Sequence, residues 1–396
     1  MKWYSILIFF CLLLLLSGIV NELENRLAPK VIDEVYSVKK FGAVGDGKND
    51  DTEAIQRTID SIDNSKGGLV YFPTGTYIIS STLLISEKSK VQISGEGFSS
   101  VIRAKGTNDK PISFPLITVS NQGSAKFIAS DLLFQIIESD SDNASGILTK
   151  GSLTDVTIQN CWFTQTNMAV RGEFVTLNFS RNTIELNKSG GLVVEGDTFR
   201  KVIIADNHFF ANNKAHIKLN NTNINEKSMN NITIIGNQFD QGLSSAYIAG
   251  FSPSGNAVDL NNISLFSISG NNFNGYTPST NLIPAEKQDG HAIKAINSDN
   301  FTITGNTFSK YKKSAIYLDS SSNFNVDGIV NGFDEVGVVI VNSSDFDIEM
   351  NVSDSKQGVL IKGSKRFQVD GLFSGNTNKN LQILNSSQGE VSVLPD

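Results

Sequence analysis

The side chains able to do chemistry in this 396-residue chain gather between residues 171 and 317. In "HIKL" (216–219), His216 and Lys218 alternate with Ile217 and Leu219, and a period of two turns one pair inward and the other out. On that reading His216 and Lys218 face solvent together. "YIAG" (247–250) puts Tyr247 on the next repeat, one strand spacing from His216. Lys294 stands one repeat further on in "QDGHAIK" (288–294), with Asp289 and His291 in the turn before it. Arg171 and Glu195 fall two repeats and one repeat to the other side, and Tyr317 follows Lys294 in "AIYL" (315–318). A cation beside a base of suitable pKa can remove a proton next to a carboxylate. Lys218, Lys294 or Arg171 supplies the cation, and His216, His291, Tyr247 or a lysine of lowered pKa supplies the base. The resulting carbanion either expels a leaving group or is reprotonated from the other face. Glu195, Asp240 and Tyr317 complete the set as substrate-binding candidates, and Asp240 has no partner visible in the sequence.

These residues need a scaffold that repeats. Six segments read alike: "VTIQNCWF" from 156, "LNFSRNTI" from 177, "VIIADNHF" from 202, "ITIIGNQF" from 232, "FSISGNNF" from 266 and "FTITGNTF" from 301. Looser copies start at Phe324, Phe346 and Phe367, and earlier ones near Leu69, Val91 and Phe127. The shortest spacing, 177 minus 156 or 21 residues, suits one coil of a parallel β-helix, whose coils stack at about 4.8 Å. Asn182, Asn207, Asn237, Asn271 and Asn306 share one position, where an inward amide can satisfy the backbone of the next coil. Cys161 takes that position in its own coil and reads as a buried apolar residue. A second strand follows each segment. Ile217, Ile248, Ile293 and Ile316 point inward on it, and their neighbours form an outward sheet. Three adjacent coils carry extra residues, at about 220–231, 250–263 and 274–290. Insertions on a rigid scaffold are the usual home of function, so they mark a groove.

Composition excludes other classes. A net charge of −7 lacks the basic face a nucleic-acid binder needs. "GAVGDGKNDD" has no G-K-[ST] ending for a phosphate loop and no twelfth-position Glu for an EF-hand. Instead Asp50 and Glu53 have capping-box spacing, and Ile55, Ile59 and Ile62 line one face of a helix that can cover the end of a β-helix. Residues 3–20 contain no charge, with Lys2 before them and Glu22 and Glu24 after. This predicts a signal peptide or membrane anchor over 1–20, a linker over 21–34, and a body at 35–396 working outside the cytoplasm.

"VYSVKKFGAVGDGKNDDTEAIQRTID" (35–60) followed by "GGLVYFPTGTYIIS" (67–80) resembles the N-terminal signature of the pectate-lyase-like superfamily. The branch it is most similar to is shared by rhamnogalacturonase-type enzymes, tailspike depolymerases and alginate C5-epimerases. The resemblance implies an all-β fold, a right-handed parallel β-helix of about twelve coils with an N-terminal capping helix, 35–66 forming the cap. It implies action on a polysaccharide without settling the reaction; joined to the cation-and-base set above, the reading is an acidic polysaccharide as partner, processed by β-elimination or C5 epimerisation of a uronate. Hydrolysis and binding without catalysis stay open. The polygalacturonase-type pattern is met once in four motifs, by Asp289. Lys312 and Lys313 stand where its paired acids belong, and the next two coils read "DEVGVVI" without His and "KQGVLIKG" without Arg. No cofactor is expected. The resemblance allows calcium on groove acids, yet no ligand spacing supports it. The oligomeric state is open, and membrane contact depends on whether the N-terminal segment is retained.

Overall fold

A computed structural model describes residues 34–394 except 122–124, 140–142, 152–154, 198, 224–228, 242–254, 276–289 and 334. The segment 1–33, with the expected signal or anchor, lies outside the described residues. Strands make up 62 % and helix 5 %, so the all-β expectation holds. Every named strand pairing is parallel, which for short crossovers means a right-handed coil. Two sheets form the walls: one of 23 strands, contributing two short strands or one long one per coil, and one of 12 strands, contributing one. The protein is a right-handed parallel β-helix, and the narrow sheet counts twelve coils among the described residues.

The repeat alignment and the register coincide. Val156, Leu177, Val202, Ile232, Phe266, Phe301, Phe324, Phe346 and Phe367 pair in succession. Among the earlier copies Val91 and Phe127 fit, but Gly68, not Leu69, pairs with Val91. The repeated phenylalanines stack ring on ring inside, as in Phe239–Phe273 at 4.7 Å and Phe266–Phe301 at 4.3 Å between centroids. The asparagine ladder is continuous. Asn182 Oδ1 accepts from Cys161 N at 2.9 Å, and Asn207, Asn237, Asn271 and Asn306 each accept from the backbone N–H and side-chain amide of the Asn before. Each amide also donates to a carbonyl of the preceding coil, such as Ile204 O from Asn237. Cys161 is 1 % exposed at the head of this ladder, and burial pushes its thiol up to about 12.

The helix Thr52–Asp60 buries Ile55 and Ile59, with Ile62 just beyond its end. Its N-cap is Asp51 rather than Asp50. Asp50 instead accepts from Thr52 N at 3.0 Å. Asp51, 1 % exposed, turns back to take Val44 N at 2.6 Å and Gly45 N at 3.0 Å, so the glycine-rich stretch is a structural turn. Gln56 Nε2 donates to Leu84 O, and Gln56 Oε1 accepts from Leu84 N, filling the open edge of the first strand of the narrow sheet, Leu83–Ser86.

In chain order the insertions stand next to strands of that sheet. One follows its strand Ala215–Asn221. The others precede its strands Val258–Asn261 and Ile293–Ile296. The second insertion therefore lies before residue 258, and Val258 takes the inward place next to Ile217 that "YIAG" suggested for Ile248.

Candidate functional site

The outward face of the narrow sheet carries one side chain per coil in a straight column. Arg171 pairs with Val193, Val193 with Lys218, Lys218 with Asp259, Asp259 with Lys294, and Lys294 with Tyr317. Of the sequence candidates, Arg171, Lys218, Lys294 and Tyr317 thus share one column, and Glu195 lies two residues along from Val193. Lys218 Nζ meets Glu195 Oε1 at 2.6 Å, with both side chains more than a third exposed, so the pair fixes position more than it adds stability. Two adjoining depressions, of about 230 and 300 Å³, share Arg171, Val193 and Glu195, and the second reaches Lys218. The sheet is therefore hollowed along the helix axis at these rungs.

At the other end of the column, His291 lies against Tyr317, with ring centroids 4.8 Å apart. Its Nδ1 is 2.6 Å from Ser314 Oγ, and its backbone N–H donates to Asn256 Oδ1 at 2.9 Å. The Ser314 contact orients the ring against Tyr317. Burial, with the Asp319 carboxylate beside it, raises the Tyr317 phenol above its ordinary value, so at neutral pH it holds a proton to give. Asn256 Nδ2 donates to Asp259 Oδ2 at 2.8 Å, tying the Asp259 carboxylate to the segment that carries His291. Asp259 escaped the sequence reading, although "AVDLNN" (257–262) aligns with "AIKAIN" (292–297) and puts Asp259 level with Lys294.

His216 does not join this face. It is 0 % exposed, packed between the rings of Phe209 and Phe239 at 5.9 and 6.0 Å. The alternation rule fails because the chain turns a corner there, and the corner residue points inward together with Ile217. Its Nδ1 accepts from Asn212 Nδ2 at 2.9 Å, while Nε2 is buried with no partner among the described residues. Burial pulls its pKa down to about 3. An imidazole sealed in the core cannot touch a polymeric substrate, which removes His216 from the catalytic set. Tyr247 and Asp289 lie outside the described residues.

Asp240 is also displaced from the groove. It stands on the wide sheet, in strand Gln238–Asp240, whereas Glu195 stands on the narrow one. The two cannot flank a single glycosidic bond. Asp240 has partners after all: His208 Nε2 at 2.8 Å, Gln238 Nε2 at 2.7 Å and Asn274 Nδ2 at 2.8 Å. Burial pushes its carboxyl up, but these hydrogen bonds outweigh that and hold it below the ordinary range. His208, which the sequence leaves without a role, is the other half of this pair.

Residues 35–238 match the family model described as rhamnogalacturonase A/epimerase, pectate lyase-like, and residues 251–393 match one described as periplasmic copper-binding protein (NosD). Copper is not fitted by the second region: it contains one histidine, His291, no cysteine, and a methionine, Met350, that is 1 % exposed. Among the described residues no three His, Cys, Asp or Glu side chains gather as ligands. The chain is 37 % identical over 117 residues to an alginate lyase 7 of Azotobacter vinelandii, 28 % of this chain and 13 % of that protein. It is equally identical over 117 residues to mannuronan C5-epimerase AlgE2 of the same organism, 28 % and 11 % of the two chains. The chain thus spans about an eighth or less of the length of these relatives. In fold it resembles the A-module of the A. vinelandii mannuronan C-5 epimerase AlgE6, at a TM-score of 0.65 and 16 % identity over 91 % of this chain and 100 % of that one. Tailspike protein 3 of bacteriophage CBA120 follows at 0.54 and 14 %, over 93 % and 65 %.

Proposed function

The chain belongs to the rhamnogalacturonase A/epimerase, pectate-lyase-like family, and on that footing we propose that it processes a uronate-containing polysaccharide outside the cytoplasm, with the outward column of the narrow sheet as its site. The observation that carries this reading is the cluster at one end of the column. Lys294 lies one rung from Tyr317, and His291 lies against the Tyr317 ring. Lys294 neutralises the uronate carboxylate and so acidifies the neighbouring C5 proton. The His291 imidazole takes that proton, and the Tyr317 phenol protonates the departing glycosidic oxygen. Both groups stand on the same side of any sugar they reach. Epimerisation needs its second proton from the opposite side, so the adjacency favours β-elimination. The similarity to an alginate lyase and to mannuronan C5-epimerases supports a uronate as substrate. The extracytoplasmic setting rests on the apolar run at residues 3–20 and on the periplasmic description of the second matching family.

The test incubates the chain with a panel of uronate polymers and follows ultraviolet absorbance of unsaturated product, solvent-hydrogen exchange at C5 and new reducing ends. Absorbance that falls about 10²- to 10⁴-fold in both Tyr317→Phe and His291→Ala is the expected result. Exchange without absorbance moves the reaction to epimerisation. Reducing ends with neither signal point to hydrolysis. Binding that persists with all three channels silent identifies a glycan-binding protein.

A further inference from the structure

The column has a period. Its cations occupy every second rung: Arg171, then Lys218, then Lys294. The rungs between hold Val193 and Asp259, one apolar and one acidic. Neighbouring rungs of a parallel sheet lie about 4.8 Å apart, so successive cations stand roughly 10 Å apart along the axis. Arg171 and Lys294 have no ion-pair partner among the described residues, and Lys218 keeps donors to spare beside Glu195.

A pyranose in an extended, equatorially linked chain advances by about one rung. Where such a chain has a two-fold screw, successive carboxylates point to opposite sides, and those facing one wall recur at every second sugar. That recurrence matches the cations. The intervening rungs suit the sugars whose carboxylates point away: Val193 meets a C–H face, and Asp259 accepts from hydroxyls while repelling any carboxylate turned towards it. Asp259 is held for this by Asn256. The hollows at Arg171, Glu195 and Lys218 run in the same direction.

We propose that the substrate is an extended two-fold uronan lying along the solenoid axis, with Arg171, Lys218 and Lys294 each binding one carboxylate on alternate sugars. The inference rests on the site assigned above and adds its substrate geometry: Lys294 holds the reacting uronate, while Lys218 and Arg171 read the sugars two and four units away.

The experiment measures calorimetric binding of size-defined oligomers to the full chain carrying Tyr317→Phe, so that the probes survive. With diequatorial β-1,4-mannuronate oligomers, affinity should step up from one to three sugars and from three to five, then level off. Each step should be roughly fivefold, the scale of one exposed ion pair. Arg171→Ala should bring the pentamer down to the trimer's affinity and leave the trimer within about twofold. Diaxial α-1,4-galacturonate oligomers, which wind with three-fold symmetry, should lack the two-sugar step. Even growth per added sugar, the same steps with galacturonate, or equal loss of trimer and pentamer in Arg171→Ala overturns the register while leaving the site in place. Failure of every uronate oligomer to bind overturns both.

Discussion

His216 shows how one residue can break a rule that its neighbours obey. The corner position it occupies holds Ala169, Gly191, Ala257 and Ala292 in the surrounding coils, because little room separates the strand from the phenylalanine stack. A Cβ at Gly191 would already come within 2.4 Å of His216 O and 3.2 Å of the Phe209 ring. A histidine among glycines and alanines is conspicuous in sequence, but alternation alone assigns it to solvent. Only the corner, which sequence does not mark, sends it inside. The consequence is a pH dependence with a definite sign. The folded protein keeps His216 neutral to about pH 3, whereas the unfolded chain binds a proton near pH 6.5. Stability is unaffected by this group above pH 6.5 and falls as pH drops from there towards 3, by roughly 1.4 kcal/mol per unit. Urea midpoints for the protein and for His216→Ala should converge, then cross, as pH falls from 7 to 4. At pH 7 the variant should be the weaker by about 1–3 kcal/mol, the cost of the cavity. Parallel pH curves would show that His216 does not stay neutral in the fold.

At the scale of the element, the strands were legible because their side chains recur in register over nine consecutive coils, and a period repeated that often defeats local ambiguity. The Asn ladder was legible for the same reason. Its energy resides in shared partners. Asn237 Oδ1 takes both the backbone N–H and the amide of Asn207, and Asn237 Nδ2 satisfies Ile204 O. Asn237→Ala leaves the buried Asn207 N–H and Ile204 O of the preceding coil without partners and should cost about 2–4 kcal/mol in urea unfolding. Gln238→Ala, one residue along on the exposed side, should stay within about 0.5 kcal/mol. Equal effects would mean that water replaces the ladder amide. The His208–Asp240 pair was open to the same alignment, since "DNHF" and "GNQFD" put the two residues on adjacent coils. Neither residue marks the pair by itself, and it emerges only when the two segments are aligned coil on coil. The strand Val258–Asn261 was missed for another reason: where insertions lengthen a coil, length no longer locates the strand, and "YIAG" imitates the pattern as well as "VDLN" does.

At the scale of the whole molecule, a solenoid gains stability from contacts between neighbouring coils and has nothing beyond its first one. The end must therefore be closed by something other than another coil. Here that is the helix Thr52–Asp60, and its fit to the sheet edge depends on one side chain: Gln56 makes both hydrogen bonds that the exposed backbone of Leu84 would offer a further strand. Leu84 itself is 51 % exposed, so the uncovered edge would be apolar as well as unpaired. Such an edge pairs with other chains. Gln56→Ala should cost little in thermal stability, because water can take the place of both bonds at an exposed site, but it should lower the concentration at which the protein self-associates. Sedimentation velocity across a concentration series reads this directly. A rise in associated species for Gln56→Ala, reversed by adding Leu84→Lys to repel a second edge, is the expected outcome. A variant that sediments like the parent protein at every concentration would show that the rest of the helix closes the edge without Gln56.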